Sequence, residues 1–296
     1  MPDAALPSPC SSPTFKSGPP GLNPRRADLE QARDLSERGP TLDPVAGRGV
    51  SLTSSCPVTE ISPPADASER AFFGRRKGKR LRGLQEQRLA ELLPRLRVAP
   101  PPGGARLDPA TLFPDLPQGP AEVWLEIGFG GGEHLAAQAA GHPDIGIIGA
   151  EPFVNGVAKL LRAIDERALR NVRIRDEDVS PLLAALPDAC LARVYLLYPD
   201  PWPKRRQRKR RFVSDASLAE IARVLRPGGR FRFASDIDDY VGWTLVRAAR
   251  CPSLRWTART AADWTQPYPG WPGTRYEAKA IAAGRRPTYL DFERIA

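Results

Sequence analysis

The chain has 296 residues, 41% of them apolar and 26% charged, which suffices for one large α/β domain or a smaller one with an appendage. A formal net charge of +10 and a pI near 9.8 point to a polyanionic partner, nucleic acid before membrane. No apolar run has bilayer length, the N-terminus is not a signal or transit peptide in pattern, and scattered Cys10, Cys56, Cys190 and Cys251 with only His134 and His142 argue against disulfides and metal, so a cytoplasmic, metal-free protein is expected.

Residues 1–70 are rich in Pro, Ser and Gly without apolar periodicity, and predict a disordered extension whose one candidate helix, Asp28–Glu37, has little apolar face. Residues 71–104 form a basic lead-in. Phe72–Arg82 reads FFGRRKGKRLR, and Leu84, Leu89, Leu92, Leu93 and Leu96 then recur at helical spacing before a Pro/Gly loop at 99–104.

Residues 105–296 form the expected folded domain, and from Glu122 onward strands and helices alternate. Strands are predicted at Val123–Ile127, Ile145–Ala150, Val172–Arg175, Val194–Leu197 and Arg230–Ser235. Helices are predicted at Glu133–Ala140, Val154–Arg167, Pro181–Leu186, Ser214–Leu225 and Asp239–Ala249, with Arg226-Pro227-Gly228-Gly229 read as a helix stop. Strand–helix units of this length require right-handed crossovers, so the fold class is α/β, a doubly wound and mainly parallel sheet. Ligands of such sheets sit at the carboxyl ends of the strands.

The first strand runs into Glu126-Ile127-Gly128-Phe129-Gly130-Gly131-Gly132, where Gly128 and Gly130 let backbone approach a ligand. A dinucleotide fingerprint would need glycine at Glu133, and a carboxylate there repels pyrophosphate. S-adenosylmethionine has no phosphate and carries two cationic groups, so it suits Glu126 better, with a nicotinamide or flavin nucleotide as the alternative. Glu151 closes the second strand, where an acid accepts from ribose hydroxyls. Asp178 after the third strand either receives an adenine amino group or caps the following helix.

After the fourth strand, Tyr198-Pro199-Asp200-Pro201-Trp202-Pro203-Lys204 holds an aspartate between two prolines, with an aromatic stacking plane two residues on. The run that follows, Arg205, Arg206, Arg208, Lys209, Arg210 and Arg211, is placed at the mouth of the site to contact RNA phosphates. Asp236 ends the fifth strand on the same rim. Thr274-Arg275-Tyr276-Glu277 fits a capping box that opens a helix.

Together these residues resemble the bacterial tRNA guanine-N7 methyltransferase family over roughly the last three quarters of the chain, with PDPWPK, its basic run and the late T-R-Y-E as the most specific elements. The resemblance implies a Rossmann-like class I methyltransferase fold and transfer of a methyl group from S-adenosylmethionine to N7 of the variable-loop guanine (position 46) of tRNA. It implies cofactor binding by Glu126, Glu151, Asp178 and Asp200, with Asp200 also the catalytic acid. It assigns Lys204, Asp236, Thr274, Arg275, Tyr276 and Glu277 to the substrate nucleotide. Gln207 and Arg208 stand where relatives often carry histidine. The rival readings are a methyltransferase for another RNA or base atom, and a non-catalytic RNA-binding protein with this fold; both monomer and homodimer are compatible with the sequence.

Overall fold

The computed structural model of the chain describes residues 74–296. The extension at 1–70, its candidate helix, Phe72, Phe73, Cys10 and Cys56 lie outside the described residues. The lead-in is two helices rather than one, α1 (Leu84–Glu91) and α2 (Leu93–Leu96). Pro94 accounts for the break, because it has no N–H to donate and its ring crowds the turn before it. Beyond α2, Val98 donates its N–H to the carbonyl of Ile174 at 2.8 Å, which fastens the lead-in to the edge of the sheet.

The sheet has seven strands. In chain order the elements are β1 (Glu122–Ile127), α3 (Glu133–Gly141), β2 (Ile145–Ala150), α4 (Val154–Arg167), β3 (Val172–Arg175), α5 (Ser180–Ala185) and β4 (Leu191–Leu197). They continue as α6 (Asp215–Val224), β5 (Leu225–Ser235), α7 (Asp238–Ala248), β6 (Leu254–Trp256), α8 (Ala262–Thr265), α9 (Arg275–Ala282) and β7 (Thr288–Arg294). The strand order is β3-β2-β1-β4-β5-β7-β6. Strands β1 to β5 are parallel, while β7 inserts antiparallel between β5 and β6. This is the expected doubly wound, Rossmann-like class I architecture, with the order reversing between β1 and β4.

Central strands read as continuous apolar runs because both faces are covered. Leu125, Ile148 and Val194 are fully buried. Leu135 of α3 and Leu160 and Leu161 of α4 fill one face; Leu182 of α5, Leu218 and Ile221 of α6 and Leu245 of α7 fill the other. Truncating any fully buried leucine here to alanine removes about 2–5 kcal/mol.

Two expectations about β5 need correction. The helix before it stops at Val224, and the strand already begins at Leu225, so Arg226–Gly229 lies inside the strand span. Pairing with β4 slips between Leu191 and Arg193, and Gly228 has φ +76°: Arg-Pro-Gly-Gly is a bulge at the strand's start as well as a helix stop. Strands β6 and β7 were not among the predicted elements. Among the described residues, no helix is long and apolar enough to cross a membrane.

Candidate functional site

At the carboxyl ends of β1, β2 and β4, beside the switch in strand order, lies a cleft of about 480 Å³. Its floor is apolar, built from Ile127, Ala150, Val179 and Leu196; Glu151, Glu177, Asp178 and Asp200 bring carboxylates to its walls. Gly128 and Gly130 border it with φ of +69° and +58°. A Cβ on Gly128 would meet nothing within 4 Å, so the backbone there faces open space. Gly156 in α4 shows the opposite constraint: its Cβ would stand 2.0 Å from the Gly130 carbonyl oxygen. The glycine loop and α4 therefore meet backbone to backbone.

Glu151 ties these parts together. One carboxylate oxygen accepts from the Gly130 N–H at 2.7 Å and the other from the Phe153 N–H at 2.9 Å. Desolvation raises its pKa, and the two backbone donors oppose that rise. Asp178 lines the cleft and accepts from the Ser180 N–H at 2.7 Å at the start of α5.

The Asp200 loop is held in an unusual backbone conformation. Tyr198 and Trp202, on either side of it, have φ of +50° and +40°. Each such non-glycine residue costs on the order of 1–3 kcal/mol, so the surroundings must enforce it. The Tyr198 N–H donates to the Ala234 carbonyl at 2.7 Å, and Arg211 Nε donates to the Pro201 carbonyl at 2.8 Å. Asp200 keeps an exposed surface at the cleft mouth, yet partial desolvation there raises its carboxyl pKa above the ordinary aspartate range. Burial also pushes up the Tyr198 phenol, whose hydroxyl has no well-formed hydrogen bond among the described residues.

The basic run forms a 3₁₀ turn, Arg205–Arg210, and this divides its cations. Side chains three apart share a side in such a turn. Arg208 and Arg211 both turn to Asp239 of α7; Arg208 Nη2 pairs with its carboxylate at 2.6 Å, and Arg211 makes the other ion pair. Arg211 is only 1% exposed and lies over the rings of Tyr240 and Trp243. The expectation that Arg211 contacts phosphate is therefore corrected: it is an internal prop for the Asp200 loop. Arg210 stacks 4.9 Å from the Trp202 ring at the cleft wall. Lys204, Arg205, Arg206 and Lys209 are exposed.

The remaining expected residues are spread around this centre. Asp236 accepts from Arg285 Nε at 2.5 Å and does not line the cleft. Thr274 and Glu277 form the capping box of α9, with the Thr274 side chain accepting from the Glu277 N–H at 3.0 Å. Glu277 is buried and also receives Trp271 Nε1 at 2.7 Å and the Tyr289 hydroxyl. Of that tetrapeptide Tyr276 alone lines the cleft, 42% exposed, while Arg275 donates to its hydroxyl at 3.0 Å. Glu126 is 3% exposed and lies outside the lining, its Oε2 2.6 Å from His134 Nδ1. Sequence reasoning did not place Gly74 and Arg75 in the cleft wall. They arrive through Asn155, which accepts from the Gly78 N–H at 2.7 Å and donates to the Lys79 carbonyl at 2.6 Å, a link spanning more than seventy residues that no local pattern announces.

Such a cleft suits a ligand with an apolar plane, hydroxyls and positive charge, with exposed cations alongside for a polyanion. A family described as "Putative methyltransferase" matches residues 120–290, more than half of the chain. A tRNA (guanine-N(7)-)-methyltransferase of Chelativorans sp. (strain BNC1) is 53% identical over 78% of this chain and 97% of its own length. One of the same name from Nitrobacter winogradskyi is 56% identical over 76% of this chain and 86% of its own. Among solved structures, the 16S rRNA methyltransferase KamB aligns over 63% of this chain and 94% of its own, at 16% identity and a TM-score of 0.44.

Proposed function

Since the chain belongs to the tRNA (guanine-N(7)-)-methyltransferase family, we propose that it transfers a methyl group from S-adenosylmethionine to N7 of the variable-loop guanine (position 46) of tRNA. The observation that carries this reading is the single cleft that gathers Gly128, Glu151, Asp178 and Asp200, with exposed cations on the turn that follows Asp200.

The residues fit the cofactor. Gly128 leaves room where a side chain would stand, the floor is apolar, and the walls are acidic. Glu151 has lone pairs left beyond its two backbone bonds to accept from ribose hydroxyls. Asp178 holds an adenine amino group, and Glu126 supplies negative charge below the glycine loop. S-adenosylmethionine, when bound, supplies an electrophilic methyl group.

Guanine N7 bears a lone pair and no proton, so no general base is required. Catalysis rests on approach and on stabilising the cationic purine as it forms. Asp200, fixed by its left-handed neighbours, accepts from the guanine N1–H and N2–H₂ edge and balances the new charge. Lys204, Asp236 and the Thr274–Glu277 segment surround the nucleotide, Tyr276 most directly. Arg205, Arg206 and Lys209 take RNA phosphates, with Arg208 and Arg210 on the inner side of the same turn.

The experiment is incubation with methyl-labelled S-adenosylmethionine and unmodified tRNA, then digestion and nucleoside identification. Label in 7-methylguanosine mapped to the variable loop is expected. Label in another nucleoside or position removes the assigned target, and tight tRNA binding with no label favours a binding protein.

A further inference from the structure

His134 has no part in the function proposed above, yet it is 2% exposed and joins both sides of the site. It is the second residue of α3, directly after the glycine loop. Nδ1 stands 2.6 Å from Glu126 Oε2, and Nε2 hydrogen-bonds the Tyr268 hydroxyl. Tyr195 of β4 packs edge-on at 4.9 Å. The Trp271 ring lies 5.2 Å from the imidazole and donates its Nε1 to Glu277, the last residue of the α9 capping box. A chain of contacts, buried at Glu126, His134 and Glu277 and half-buried at Tyr268 and Trp271, thus runs from the end of β1, through α3, to the start of α9.

The direction of the Glu126 bond follows from its partner. A carboxylate accepts, so Nδ1 carries the proton toward Glu126, while a phenol both donates and accepts and so pairs with Nε2 in either direction. That arrangement satisfies all three groups at once and fixes the orientation of each. A satisfied core histidine would need no more than this. Position separates the two cases: Glu126 immediately precedes Ile127 and Gly128 in the cleft wall, and the far end of the chain reaches the turn that carries Tyr276.

We infer that His134 is a positioning residue: it holds the Glu126 carboxylate beneath the glycine loop for the cofactor's positive charge, and through Tyr268 and Trp271 ties it to the substrate-side start of α9. This rests on reading Glu126 as an acid of the cofactor site.

Two polar substitutions separate the bonds. In His134→Asn the amide nitrogen falls near the Nδ1 position and retains the donor to Glu126. In His134→Gln the amide reaches the Nε2 position and retains only the Tyr268 side. Calorimetric affinity for S-adenosylhomocysteine is measured on the full chain, alongside Glu126→Gln and the Glu126→Gln/His134→Gln double variant, with thermal midpoints as the folding control. His134→Asn should stay within about threefold of the parent, while His134→Gln should weaken binding about tenfold or more, as expected for losing a hydrogen bond to a charged group. The double variant should bind no more weakly than Glu126→Gln alone, because the histidine acts through that carboxylate. Parent-like binding by His134→Gln, equal weakening in both histidine variants, or multiplying effects in the double variant would overturn the inference. Normal binding by Glu126→Gln overturns it through its premise, and absence of binding by the parent chain instead defeats the methyltransferase reading.

Discussion

Two halves of one continuous segment, the Asp200 loop and the basic turn after it, use charge in opposite ways. In 198–203 a lone carboxylate sits on a backbone held left-handed at Tyr198 and Trp202, in a partly desolvated cleft where its charge acts at short range. In 204–211 the outward cations face water, where each contributes additively and is screened by salt. Arg211 is chemically part of the second half and structurally part of the first, since its guanidinium props the Pro201 carbonyl from inside. Adjacent charges in a sequence therefore need not share a function.

Substitutions in each half separate the two uses of charge. The largest effect is expected for Asp200→Ala: at least about a hundredfold lower kcat with tRNA affinity unchanged, the scale of one well-placed electrostatic group. Steady-state kinetics with a filter-binding control check this. Next, Arg211→Ala should cost roughly 2 kcal/mol of stability, the range for hydrogen bonds to a charged group, read as a fall in denaturation midpoint. Its exposed neighbours should show no such fall. Replacing Arg205, Arg206 and Lys209 together should spare stability and cofactor affinity while weakening tRNA binding. The slope of log affinity against log salt should become shallower by about 0.7–0.9 for each RNA phosphate that is no longer neutralised.

The smallest effect concerns pH. Desolvation raises the Asp200 pKa, so its charge is present above that raised value and is lost as pH falls through it. The acid limb of kcat should therefore lie above the value of about 3.9 for free aspartate. A limb at or below that value would place Asp200 in ordinary solvent.

The parallel half of the fold was legible because its signals are local. Buried strands such as Ile145–Ala150 are continuous apolar runs, and α4 shows its buried face at Val157, Leu160, Leu161 and Ile164. The antiparallel end was less so. β7 alternates Leu290 and Phe292 with Asp291 and Glu293, a half-buried pattern, but its insertion between β5 and β6 depends on pairings far apart in sequence. In the cleft, Gly128, Gly130, Glu151, Asp178 and Asp200 come together as strand-end reasoning anticipates; Tyr276 is expected there only from the family resemblance, and the strand-end acids Glu126 and Asp236 do not line it. Arg75 in the cleft wall, the burial of Arg211 and the His134 link to Glu126 did not emerge, because each is set by a tertiary neighbour rather than by spacing.

In the function proposed above, the Asp200 loop performs the chemistry and the exposed turn holds the RNA. Single-turnover methyl transfer at saturating tRNA, run side by side on Asp200→Ala and the Arg205/Arg206/Lys209 triple alanine variant, tests it most directly. The triple variant should regain the parent rate at saturation, and Asp200→Ala should stay at least about a hundredfold slow whatever the tRNA concentration. A triple variant that remains slow at saturation, or an Asp200 variant rescued by more tRNA, would contradict it.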